Sequence, residues 1–182
     1  MTDPRLERAR RLLRDSHEHL LAACGGLTEA QWRWRPDDTT WSALDNLEHL
    51  AVIERGSGRM LVEGMAHPEA AAAPAREAAV LAVHDERLVT ALLSRTERAP
   101  APERVQPKGR FATGAEALAT FNASRAQVVA WADAPSWPPS EKVAPHPRLG
   151  PLDGIQWMLF LGAHAERHAR QVTELLAALP PG

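Results

Sequence analysis

Apolar side chains recur at spacings of three and four along five stretches of the chain, the signature of helices that each bury one face. The first stretch runs from about Arg5 to Cys24, with Leu6, Leu13, Leu20 and Cys24 on one stripe, and Gly25-Gly26 stops it. Thr28 to Gln31 has the spacing of a capping box, and the loop Arg35 to Asp38 follows. A second helix is predicted from Ser42, with Asp45 as the reciprocal cap, to about Met65. Ala70 to Pro74 reads as a linker. A third helix, Arg76 to Arg98, lines up Leu81, Leu88, Leu92 and Arg95. Ala99 to Pro107, with three prolines, is a connector. A fourth helix opens on the capping box Thr113-Gly114-Ala115-Glu116 and ends near Trp131, and a fifth runs from about Asp153 to Leu179. Between them, Ala134 to Pro151 holds six prolines and is predicted as a fixed loop, long enough to be functional. The pattern predicts an all-α fold, a single domain over residues 1–182 built as a four-helix bundle plus an accessory helix.

Composition sharpens this picture. Strand formers are scarce, with two Ile, three Phe and no Tyr in 182 residues, while Ala, Leu, Arg and Glu favour helix. A net charge of -2 without runs of one sign argues against nucleic acid as a partner. No apolar run reaches the length of a membrane span, and charges interrupt the N-terminal pattern, which is not that of a signal peptide. The single cysteine, Cys24, excludes an internal disulfide and fits a reducing compartment, so a cytoplasmic location is expected.

The fifth helix departs from what stability alone would select. Its interior stripe reads Trp157, Leu161, His164, His168, Gln171, Leu175, with three polar groups in succession. Each would cost ~1–3 kcal/mol if left without a partner. His164 and His168 lie one turn apart on the same face, the geometry by which helical histidine pairs share a metal ion. The bland alternative is two buried histidines satisfied by carboxylate or backbone partners. By spacing, a third ligand could come from His49, within an apolar helix, or from His17, near the interior stripe of the first helix. His84 sits at the edge of the third helix, His19 and His67 read as exposed, and His146 lies in the proline-rich loop. In the fourth helix Arg125 falls at the centre of the stripe Leu118, Phe121, Arg125, Val128, Ala132. A buried guanidinium needs an anion. That anion is either an internal partner such as Asp45 or Glu48, or a substrate carboxylate or phosphate.

Two stretches carry a family resemblance. Trp41-Ser42-Ala43-Leu44-Asp45-Asn46-Leu47-Glu48-His49-Leu50 resembles the second-helix signature of the DinB/YfiT-like metal-binding bundles. His164-Ala165-Glu166-Arg167-His168-Ala169-Arg170-Gln171-Val172 resembles their last-helix signature. Pro107 to Arg110, Phe121 to Arg125, and His146 to Trp157 are similar to the linking segments of one subgroup, so the resemblance runs through nearly the whole chain in order. It implies a bundle of DinB/YfiT-like topology that holds one divalent metal through His49, His164 and His168. It also implies a metal-dependent transferase or isomerase that uses a low-molecular-weight thiol.

Three imidazoles would leave one position of a tetrahedral ion open, and open sites are the catalytic kind. The expected function is transfer of a low-molecular-weight thiol to a small electrophilic substrate, with zinc or nickel as the metal. The alternatives are a metal-dependent hydrolase, a non-catalytic metal- or small-ligand-binding protein, or a structural bundle with a vestigial site. Arg125, Gln171, Trp157 and His146 are expected to bind the substrate, and a homodimer is expected. Cys24, on an apolar stripe, reads as packing and not as a nucleophile. The 19 arginines against two lysines point to a GC-rich genome and so towards mycothiol among thiols.

Overall fold

A computed structural model describes residues 3–66, 70–75, 77–94 and 100–180. Helix α1 (Pro4–Cys24) starts where Asp3 accepts the Arg5 N–H at 2.8 Å and Pro4 supplies a preset φ. A short helix α2 (Glu29–Arg33) carries the capping box of Thr28 and Gln31. Helix α3 (Ala43–Arg59) opens on the reciprocal Ser42–Asp45 cap and runs on as a π-helical turn, Met60–Gly64. Helices α4 (Ala78–Leu93), α5 (Gly114–Asp133) and α6 (Gly154–Ala177) follow. In α5, Thr113 caps as the sequence predicts, but Glu116 reaches back to the Ala112 N–H, so the box is not reciprocal.

The four bundle helices are α1, α3, α5 and α6, with α1 packed along α6 and α3 along α5. Both pairs use a glycine at the contact. A Cβ at Gly162 would stand 2.8 Å from Leu12 Cγ, and one at Gly58 would stand 2.8 Å from Val128. Helix α4 is the accessory helix, laid against α6. Its buried Asp85 accepts from Arg5 at 2.6 Å and from Gln156 at 3.2 Å, while the same arginine donates to Asp153, the N-cap of α6. Leu88 is buried and Leu81 and Leu92 half-buried, as the predicted stripe requires; Arg95 and His67 lie outside the described residues.

The proline-rich segment is not a plain loop. It folds into an antiparallel hairpin of β1 (Val143–His146) and β2 (Gly150–Asp153), with Gly150 at φ 76°. Pro145 faces Pro151 across the pair, a place in the ladder where no N–H is required. The preceding linker docks on its outer edge: Val143 N–H donates to Ala71 at 2.9 Å and Ala73 N–H to Glu141 at 2.7 Å. Among the described residues no helix is long and apolar enough to cross a membrane.

The core divides in two along the bundle axis. One cluster gathers Leu13, Leu61, Met65, Val128, Trp157 and Met158, and the other Leu20, Trp32, Leu47, Phe121, Ala169 and Val172. Polar groups interrupt the helices where these clusters meet: Glu54 in α3, Arg125 in α5 and His164 in α6.

Candidate metal centre

Helices α3 and α6 bring three imidazoles together. The Nε2 atoms of His49 and His164 are 3.4 Å apart, and those of His168 and His164 are 3.3 Å apart. Among the described residues no fourth side chain of a ligating type joins them. His49 and His168 are buried, whereas His164 keeps some exposure.

Two of the rings have their orientation fixed from behind. His168 Nδ1 lies 2.7 Å from Asn46 Oδ1, and the Asn46 amide is itself set by donating to Ser42 O at 2.9 Å. His49 Nδ1 lies 2.7 Å from the carbonyl of Val105. Both contacts are to acceptors, so each ring carries its proton on Nδ1 and turns the Nε2 lone pair into the cluster. His164 Nδ1, by contrast, is buried without a partner. Val105 belongs to a short 3-10 turn, Glu103–Val105, within the connector. That connector is clamped by buried Glu48, whose carboxylate accepts from Lys108 N at 2.6 Å, Arg110 N at 3.0 Å and the Arg110 guanidinium at 2.6 Å. Adjacent residues of α3 therefore supply the ligand-type group and the clamp that positions its acceptor.

Aromatic rings close the flanks. Trp41 stacks on His168 and tilts over His49, with centroids 6.3 and 5.0 Å away, and Phe160 stacks on His164 at 5.3 Å. Burial pushes the His49 imidazole below its usual pKa, partly opposed by the Val105 carbonyl. Burial first, then neighbouring positive charge, pushes His164 and His168 well below theirs. All three are thus neutral at physiological pH, the form that binds metal. The inward Nε2 lone pairs of His49 and His168 converge on the Nε2 of His164, the arrangement that three ligands take around one cation. Two ligands at ~2.0–2.1 Å on a tetrahedral ion are separated by ~3.3–3.4 Å. The spacings of His164 Nε2 to the Nε2 atoms of His49 and His168 fall on that value, so the residues present fit a divalent metal.

Of the other residues singled out in the sequence, His146 and Trp157 pack on Phe160, one ring removed from the cluster. Their rings are 5.3 Å apart, and His146 is 4.6 Å from Phe160. Gln171 is half-buried one turn past His168. Arg125 is placed differently. It is fully buried and pairs side-on with Glu54 at 2.5 and 3.0 Å, a partner other than Asp45 or Glu48. Its remaining N–H groups go to Leu13 O, Ser16 Oγ and Leu161 O. All five donors are used, which leaves none for a substrate anion. His17 meets Asn122 at 2.9 Å and takes no part in the cluster. Asn46, Trp41 and the Val105 carbonyl were not singled out from the sequence. The first two lie inside the Trp41–Leu50 motif, but a backbone acceptor leaves no mark on residue type.

The sequence model of the DinB superfamily matches residues 12–172. The uncharacterized protein YuaE of Bacillus subtilis (strain 168) is 27% identical over 150 residues, which cover 82% of this chain and 86% of YuaE. No solved structure gives a significant match.

Proposed function

The chain belongs to the DinB superfamily, and from that premise we propose that it is a metal-dependent enzyme transferring a low-molecular-weight thiol to a small electrophilic substrate. The observation that carries the reading is the convergence of three imidazoles, with His164 Nε2 at the edge length of a metal tetrahedron from the Nε2 atoms of both His49 and His168 and no fourth side chain completing the set among the described residues. His49, His164 and His168 hold the ion, and imidazole donors suit zinc or nickel. A divalent ion there lowers the pKa of whatever thiol or water takes the open position. Asn46 and the Val105 carbonyl keep two lone pairs aimed inward, and Trp41 and Phe160 shield the cluster from bulk water.

One observation favours a thiol over water. Hydrolysis calls for a general base, and the carboxylates nearest His49 in the chain are engaged elsewhere. Glu48 clamps the connector, and Asp45 accepts from Ser42 N and Oγ at 2.9 and 2.8 Å. Glu166, although buried, faces away from the cluster's partners, bonded to His19 at 2.7 Å and Arg170 at 2.7 Å. The test supplies zinc- or nickel-loaded protein with an electrophile and glutathione, mycothiol or bacillithiol in parallel. Metal-dependent consumption of one thiol is expected. Thiol-independent turnover of an ester or amide would instead establish a hydrolase, and tight retention of a small molecule without turnover a binding protein.

A further inference from the structure

His146 ends β1, and the turn beyond it folds back onto the ring. The backbone N–H groups of Arg148 and Leu149 both donate to its Nδ1, each at 3.2 Å. A nitrogen that receives two N–H groups must present a lone pair, so the ring proton resides on Nε2. Burial, then the charges of Arg104 and Arg148, push His146 below the usual imidazole range, and the ring is neutral. In this tautomer Nε2 is a donor. It is neither a fourth ligand for the ion nor a general base, so the turn has fixed the ring for hydrogen-bond donation.

The position of that donor matters. The ring packs at 4.6 Å on Phe160, which stacks in turn on His164 at 5.3 Å, so one aromatic ring separates it from the cluster. Arg148 is exposed and donates to the Pro100 carbonyl at 3.4 Å. This contact ties the hairpin turn to the connector that bears Arg104 and the Val105 acceptor of His49. Two guanidinium groups therefore act on the one neutral N–H donor of His146, one aromatic ring away from the three imidazoles, whereas Arg125 has no donor left.

We propose that His146, Arg104 and Arg148 form the anion-recognition edge of the site and receive a carboxylate carried by the small-molecule ligand. The proposal rests on the metal-centre reading for what the carboxylate is positioned against, but the anion edge itself belongs to this chain with or without the ion. The carboxylate belongs either to the thiol or to the electrophile, and paired probes separate the two.

Cobalt-loaded protein is titrated with N-acetylcysteine and N-acetylcysteamine, thiols with and without a carboxylate. Phenylacetate and phenylacetamide are titrated into both cobalt-loaded and metal-free protein, followed by tryptophan fluorescence. The carboxylate member of at least one pair is expected to bind about tenfold more tightly, and the R104Q/R148Q variant to lose that preference while keeping its cobalt. The pair that shows it identifies which ligand bears the anion. Nitrogen NMR should report the Nε2–H tautomer for His146. Equal binding within both pairs, an undiminished preference in R104Q/R148Q, or an Nδ1–H tautomer would each overturn the proposal. Failure to take up cobalt would sink the metal centre alone, because the metal-free phenylacetate arm still decides this edge.

Discussion

The guanidinium of Arg125 and the carboxylate of Glu54 meet side-on at 2.5 and 3.0 Å in the middle of the bundle, with both side chains excluded from solvent. Removing one partner strands the other as a buried charge. Arg125→Met is therefore expected to lower stability by ~3–5 kcal/mol, with Glu54→Leu similar and the double apolar variant much milder than the sum. Urea unfolding of the three proteins measures this. A double variant as damaged as the two singles added together would contradict the pairing.

The second expectation concerns the imidazoles. His168→Ala should abolish stoichiometric binding of zinc or nickel. Asn46→Ala should keep the stoichiometry but weaken affinity ~10–100-fold, because the ring of His168 loses the acceptor that orients it. Calorimetric titration distinguishes the two variants. Full occupancy in His168→Ala would remove the site.

Acid should destabilise the metal-free protein early. Burial holds His49, His146, His164 and His168 below the ordinary imidazole pKa, so below about pH 6.5 the unfolded chain takes up protons that the native state refuses. Each of the buried imidazoles His49, His164 and His168 costs up to ~1.4 kcal/mol per pH unit below that point and nothing well above it, and the half-exposed His146 adds less because solvent screens it. His19 runs the other way. Its hydrogen bond to Glu166 raises its pKa, a contribution present at low pH and lost as pH rises, but the group is exposed and small in effect. Urea midpoints of metal-stripped protein should therefore be level from pH 8 to about 7 and fall by pH 5.5. A midpoint that holds or climbs at pH 5.5 would show that the imidazoles are not held neutral.

Cys24 should be silent. Burial pushes its thiol up to about 12, far from the thiolate form that reacts. Aromatic disulfide reagents should leave native protein unlabelled at pH 8 and label one thiol once it is unfolded. Rapid labelling of the native state would reopen Cys24 as a nucleophile.

What could be read in advance, and what could not, follows from where the information is stored. The cap at Ser42 combines residue type with fixed spacing, so that helix start was legible to the residue, whereas the start of α6 was legible only approximately, near Asp153. The His164–His168 pair was legible because polar groups on an apolar stripe break a strong rule. The hairpin was not, because six prolines mask a strand pattern only four residues long on each side. Arg125 was correctly flagged as needing an anion, but its partner could not be named. Glu54 sits 71 positions away in sequence, and helical phase alone does not say which carboxylate on a facing helix stands level with it.

The acceptor of His49 is a main-chain carbonyl, and this has a consequence for how the protein can vary. Any side chain at position 105 still presents that oxygen, so a mutational scan there would pass over one of the two tethers of the cluster. The tether at Asn46 would show at once. Only changes in connector length, or loss of the Glu48 clamp, move the Val105 oxygen. The connector is thus free to drift in composition while being held in contour above the histidines.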